Sequence, residues 1–143
     1  MEIEDYNFPD DLYYDQNHFW ARIEHDLVAI GTTDFVQKLA GDIGYVEIPE
    51  EGQTVEQGKP CGSIESGKWV GRIYAVFSGV VASINEALED EPELINSSPY
   101  DKGWIFKIVP DNLEGEKHNL FQHSELKPFI EAEIAKVKEL MKK

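Results

Sequence analysis

The sequence is short of cysteine and of positive charge, and it has no long apolar run. Cys61 is its only cysteine, so neither an internal disulfide nor a cysteine-based zinc site can form within it, and a reducing compartment suits it. Thirteen Lys and Arg stand against 28 Asp and Glu, a formal charge of −15. Nucleic-acid backbones and anionic membranes would repel such a surface, while basic partners would be drawn to it; acidity can also serve solubility alone. No segment approaches the roughly 20 apolar residues of a membrane span. The amino terminus, Met1 to Tyr6, has no basic stretch followed by an apolar one, which is what a leader would need. The expectation is a cytoplasmic, soluble protein with neither nucleic acid nor membrane as partner.

What is present suits one folded unit. The 143 residues include 41% hydrophobic and 11% aromatic side chains, enough to bury a core without covalent staples. We expect a single domain over 1-143, with its core in 13-109 and a C-terminal helix at about 124-142. Short apolar runs separated by glycine-containing turns favour an all-β sandwich or barrel over a parallel α/β sheet. Residues 2 to 12 read as an extended lead-in. Phe19 to Ile30 suggests two strands around a Glu24-His25-Asp26 turn, with Gly31 closing the hairpin. Thr32, Thr33 and Asp34 are good caps for a short helix near 33-40 that Gly41 stops. Strands follow at 42 to 49, 61 to 65, 69 to 77, 80 to 84 and 103 to 109, with Ser78-Gly79 turning the chain between two of them. Residues 111 to 122 look irregular. In the tail Ser124 is a cap, Pro128 sits in the first turn, and Ile130, Ile134, Val137 and Met141 form one apolar stripe that packs on the β body.

Catalytic signatures are missing. His18, His25, His118 and His123 belong to no local metal motif, and neither Cys61 nor the serines sit in a nucleophile setting. No glycine-rich phosphate loop occurs. The acidic run from Glu86 to Glu93 lacks the alternating ligands and central glycine of a calcium loop, so a solvated turn or short helix is expected there. An enzyme is therefore not expected.

One stretch does carry a signal. Glu65-Ser66-Gly67-Lys68-Trp69-Val70-Gly71 places a lysine between two glycines, flanked by β-forming residues. That is how a hairpin tip is written, with glycine supplying positive φ. Alone it would be weak, since any exposed turn can carry a lysine.

The surrounding residues resemble the glycine cleavage system H protein family of lipoyl carriers. The resemblance rests on Ile64-Glu65-Ser66-x-Lys68, Ile73-Tyr74-Ala75, Ser78-Gly79, the run from Pro92 to Tyr100, and Gly103 to Ile108. Upstream, His18-x-Trp20, Gly31-x-Thr33, Gly41-Asp42 and Ile48-Pro49 also correspond. It implies a mainly β lipoyl-domain fold (a barrel-sandwich hybrid) of two β-sheets, with lipoic acid attached by an amide to Lys68. It also implies that Glu65 and Gly79 guide the lipoate-attaching enzyme; solvation and turn formation are their ordinary alternatives.

Departures from the family pattern concern the cargo. Family members carrying an aminomethyl group have a glutamate where this chain has Phe19, and often a histidine where it has Leu39. Trp69 and Arg72 also replace residues of the usual lysine segment, Arg72 exchanging an acid for a base. A cationic cargo beside Phe19 and Leu39 would lack a carboxylate. Two pathways follow. A lipoate-binding carrier of heterodisulfide reductase-like sulfur oxidation fits these departures and stands narrowly ahead. A glycine cleavage carrier, serving glycine decarboxylase, aminomethyltransferase and dihydrolipoamide dehydrogenase, fits the overall similarity. An unlipoylated binding domain is the third possibility.

Overall fold

The computed structural model describes residues 1–122 and 125–141. Its strands are β1 (Glu2–Ile3), β2 (Tyr6–Asn7), β3 (Tyr13–Tyr14), β4 (Phe19–Glu24), β5 (Leu27–Thr32), β6 (Ile43–Glu47), β7 (Thr54–Val55), β8 (Pro60–Ser66), β9 (Val70–Tyr74), β10 (Gly79–Ile84) and β11 (Phe106–Pro110). The helices are α1 (Asp34–Ala40), α2 (Ala87–Asp90), α3 (Leu94–Ser97), α4 (Leu113–Glu116) and α5 (Leu126–Met141). Six strands form one sheet in the order β3-β4-β5-β11-β10-β7, and β6-β8-β9 form a second. The mainly β architecture expected from the sequence is what the chain adopts.

The β4–β5 hairpin is the shared wall of two cores. Phe19, Ala21, Val28 and Ile30 point into the core that also takes Ile64 and Ile73 from the three-stranded sheet. Trp20 and Ala29, one residue out of phase, point the other way, into a core with Ile3, Phe8, Phe35, Ile130 and Ile134. A strand has a period of two, so burial on both faces explains why these strands read as continuous apolar runs rather than as alternation. The lead-in is thus not merely extended: β1 and β2 make a hairpin that, with α5, covers the outer face of β4 and β5.

Several local expectations give way to packing. Gly31 does not close the hairpin; it lies within β5 opposite Trp20, and a Cβ there would come within 2.6 Å of the Trp20 ring. The turn is at His25, whose φ of +56° takes the left-handed corner. Gly79 does not turn the chain but begins β10, paired with Pro110 and Val55. The last strand starts at Phe106, and Ile105 just before it already donates its N–H to Ile30 O of β5 at 2.8 Å. Residues 111 to 122, expected to be irregular, contain α4 and a 3-10 turn at Lys117–Asn119. Glu116 explains that order, accepting hydrogen bonds from Ser78 N at 2.7 Å and Ser78 Oγ at 2.6 Å. Along α5, Leu126, Ile130 and Ile134 are buried. The expected Ser124 cap lies outside the described residues, as does His123.

Glycines 79 and 67 should respond oppositely to a methyl group. A Cβ at Gly79 would run into the Val109 carbonyl oxygen, which is backbone, whereas nothing lies within 4 Å of one at Gly67. We expect Gly79→Ala to cost about 1–3 kcal/mol and Gly67→Ala to stay within about 0.5 kcal/mol. Urea denaturation of the two variants checks both.

Candidate functional site

Lys68 stands at the tip between β8 and β9. The tip is closed by Ser66 N donating to Trp69 O at 2.8 Å, and Lys68 is exposed. Neither Gly67 nor Gly71 adopts the positive φ expected of them; the glycines that do are Gly41, Gly52 and Gly58. Gly71 is needed for another reason. The Trp69 ring folds back over it, so that a Cβ would lie 2.9 Å from Trp69 Cζ3.

The tip rests on the end of α1. Ser66 Oγ donates to Ala40 O, and a Cβ at Gly41, where φ is +78°, would lie 2.9 Å from Lys68 Cε. Asn96 secures the same corner, accepting from Ile43 N at 2.9 Å and donating to Gly41 O at 2.7 Å. These partners satisfy carbonyls that a helix end leaves free. Lys68 makes no ion pair among the described residues.

Beside the tip opens a cavity of about 340 Å³ that brings together Phe19, Leu39, Trp69 and Arg72. Val36 and Tyr74 complete this largely apolar side. Glu65 and Gly79 are not among its lining. Glu65 is exposed on β8, between Tyr45 of β6 and Val70 of β9. Gly79 is buried in the other sheet, where backbone crowding accounts for the glycine.

The opposite wall was not legible in the sequence. It carries His18 together with Glu133, Lys136 and Val137 of α5. His18 Nε2 lies 3.0 Å from Glu133 Oε1, across 115 residues of chain. The His18 ring stacks on Phe129 at 5.5 Å and tilts against Phe35 at 4.9 Å. Its Nδ1 is buried and finds no partner among the described residues. Burial lowers the imidazole pKa, and the Glu133 carboxylate only partly opposes this. A neutral ring with Nε2–H donating to Glu133 satisfies both facts. The expectation that a cation beside Phe19 and Leu39 would find no carboxylate therefore fails in three dimensions, because Glu133 lines the same cavity.

Asp15 shapes the loop below. Its Oδ1 accepts from Asn17 N and Phe19 N, each at 2.9 Å, while Oδ2 is buried with no partner among the described residues. Desolvation pushes this carboxyl up to about 7, against the opposing backbone hydrogen bonds. Cys61 is half-buried, and burial pushes its thiol up to about 12, leaving almost no thiolate at neutral pH. Among the described residues no group of three His, Cys, Asp or Glu side chains could hold a metal ion. No described helix is long and apolar enough to cross a membrane.

Comparison with known proteins follows the same lines. The glycine cleavage H-protein family matches residues 12–133. The chain is 43% identical over 127 residues to the glycine cleavage system H protein of Halalkalibacterium halodurans, covering 89% of this chain and 98% of that protein. It is 53% identical over 103 residues to the H protein of Listeria innocua, covering 72% and 82%. A crystal structure of the H protein from Mycobacterium marinum superposes with a TM-score of 0.70 at 34% identity, covering 72% of this chain and 86% of that one. These similarities favour the glycine cleavage reading over the sulfur-oxidation one that stood narrowly ahead, for which they offer no support.

Asp15 generates a pH test. Its carboxyl pKa is raised from 3.8 to about 7, so the folded chain holds a proton that the unfolded chain has released between those values. Its contribution is full below about pH 4 and is lost as pH rises through 7. The stability difference between wild type and Asp15→Asn should therefore shift against wild type from pH 4 to 7.5, read from urea midpoints. Asp15→Ala, which also strips two amides of their acceptor, should cost about 1–3 kcal/mol at pH 5.

Proposed function

Because the chain belongs to the glycine cleavage H-protein family, whose members are non-catalytic carriers with lipoic acid held covalently on a lysine, we propose that its lipoyl group sits on Lys68 and that its cargo is the aminomethyl group of glycine. In this reading glycine decarboxylase loads the arm, the aminomethyltransferase unloads it, and dihydrolipoamide dehydrogenase reoxidises it. The three enzymes need one compartment with the carrier, and the cytoplasm expected from the sequence belongs to the same proposal. So does the treatment of residues 1-143 as a single carrier unit.

The observation that carries the proposal is the position of an exposed lysine, with no ion pair among the described residues, on a hydrogen-bonded tip beside a cavity of about 340 Å³. Forming an amide at Nζ removes a charge that no described partner uses, so attachment costs the fold little. When bound, the dithiolane supplies a reducible disulfide able to accept a one-carbon fragment on one sulfur. The protein supplies the rest. Ser66 and Asn96 hold the tip against α1, so the root of the arm stays in one place while its far end searches a small volume. Trp69, lying over Gly71, forms the wall between tip and cavity. Phe19, Val36 and Leu39 keep the cavity side apolar and exclude water. The inert Cys61 does not compete in thiol exchange. Glu65, exposed next to the tip, is free to meet a basic lipoate-attaching enzyme; for Gly79, support of β10 is the simpler role.

Lys68→Arg should fold like wild type and gain no lipoyl mass after expression with a lipoate-attaching enzyme, by intact mass spectrometry. Mass gain at another lysine would overturn the Lys68 assignment. The lipoylated wild type should accept label from [2-13C]glycine with glycine decarboxylase in a saturable manner. Loading by an inorganic sulfur donor but not by glycine would return the cargo to sulfur.

A further inference from the structure

The cavity contains a charge arrangement that the apolar wall does not need. Among its lining residues Glu133 is the only carboxylate, and Arg72, Lys136 and His18 line the cavity with it. Arg72 is exposed and Lys136 is 75% exposed, so both heads can swing into water. Glu133 is held: its side chain is 20% exposed, Oε1 meets His18 Nε2 at 3.0 Å, and His18 is itself clamped by Phe35 and Phe129. Among the described residues the other oxygen, Oε2, pairs with Lys136 Nζ at 3.2 Å, an i,i+3 pair along α5. With the Lys136 head in water, such a pair contributes little.

We propose that Glu133 is the specificity-determining residue of the cavity, its Oε2 taking a small primary ammonium on the arm in place of Lys136, with His18 as the positioning residue that holds Oε1. This deepens the reading above and rests on it, since an aminomethyl group is such an ammonium at neutral pH. A neutral cargo of the same size has no use for the carboxylate. The terminal helix is thereby part of the cargo site, placed there by the aromatic stack of Phe121, Phe129 and His18 and by burial of Leu126, Ile130 and Ile134.

The test separates charge from shape without the decarboxylase. The reduced lipoylated protein is equilibrated with 13C-formaldehyde and ammonium, where RSH + CH2O + NH4+ ⇌ RSCH2NH3+ + H2O, and with 13C-formaldehyde alone, where RSH + CH2O ⇌ RSCH2OH. Carbon NMR reads each thiol adduct, and Lys68→Arg serves as the blank. Glu133→Gln is nearly isosteric, and its folding is checked by thermal denaturation. The substitution should lower the ammonium adduct constant by about tenfold, the difference between a charge-assisted and a neutral hydrogen bond, and leave the neutral adduct unchanged. Equal constants for both proteins, an equal fall in both adducts, or any rise in the ammonium adduct would overturn the proposal. If the split appears while wild type fails to load from glycine and the decarboxylase, Glu133 keeps its role and the glycine cleavage reading falls.

Discussion

The corner where α1 ends is the constraint on which the rest of the site depends. Gly41 turns the chain at φ +78°, where the last carbonyls of the helix have no partners within it. Two distant side chains answer. Ser66, from the lysine hairpin, donates to Ala40 O, and Asn96, from α3, donates to Gly41 O while accepting from Ile43 N. One set of hydrogen bonds therefore joins the hairpin, the helix that walls the cavity and the start of β6. A lysine on a free hairpin would wander; here its root is tied to the element that lines the cavity.

The segment from Pro92 to Tyr100 gains a physical meaning from this corner. Besides Asn96, it supplies Pro99 O, which accepts from Trp20 Nε1 at 2.9 Å, and Tyr100 OH, which accepts from Asp34 N at 2.9 Å and donates to Asn7 O at 2.6 Å. It ties α1 at both ends and joins the amino-terminal hairpin to the second core. An acidic exterior surrounds a cavity whose described charges include two exposed cations and one carboxylate that is 20% exposed. That contrast would let the surface serve solubility and docking while the interior, under the proposal for Glu133, discriminates by charge.

Legibility in the sequence followed the range of the forces involved. The β4–β5 turn, a cap within Thr32 to Asp34, the Gly41 stop and the hairpin around Lys68 are readable because each is set by dihedral preferences and hydrogen bonds within a few residues. Phe19, Leu39, Trp69 and Arg72 were singled out from family departures, and they do line one cavity. The errors have a common form. Gly31, Gly71 and Gly79 were read as turn or positive-φ glycines, but what each needs is room for a tryptophan ring or a neighbouring carbonyl, and crowding leaves no local signature. Residues 111 to 122 looked irregular because their order comes from Glu116 reaching Ser78.

The amino-acid sequence by itself determined the class of fold, the lysine that is offered to solvent and the family to which the chain belongs. Those rest on local conformational preference and on motifs contiguous enough to be read in order. Only the tertiary structure decided what stands opposite Phe19. Glu133 is one acid among 28 Asp and Glu in the chain, with nothing in its neighbours to mark it. It reaches His18 because α5 buries an apolar stripe against the lead-in hairpin, and burial of apolar surface is non-directional in sequence. A charge placed by such packing becomes visible only once the helix has docked.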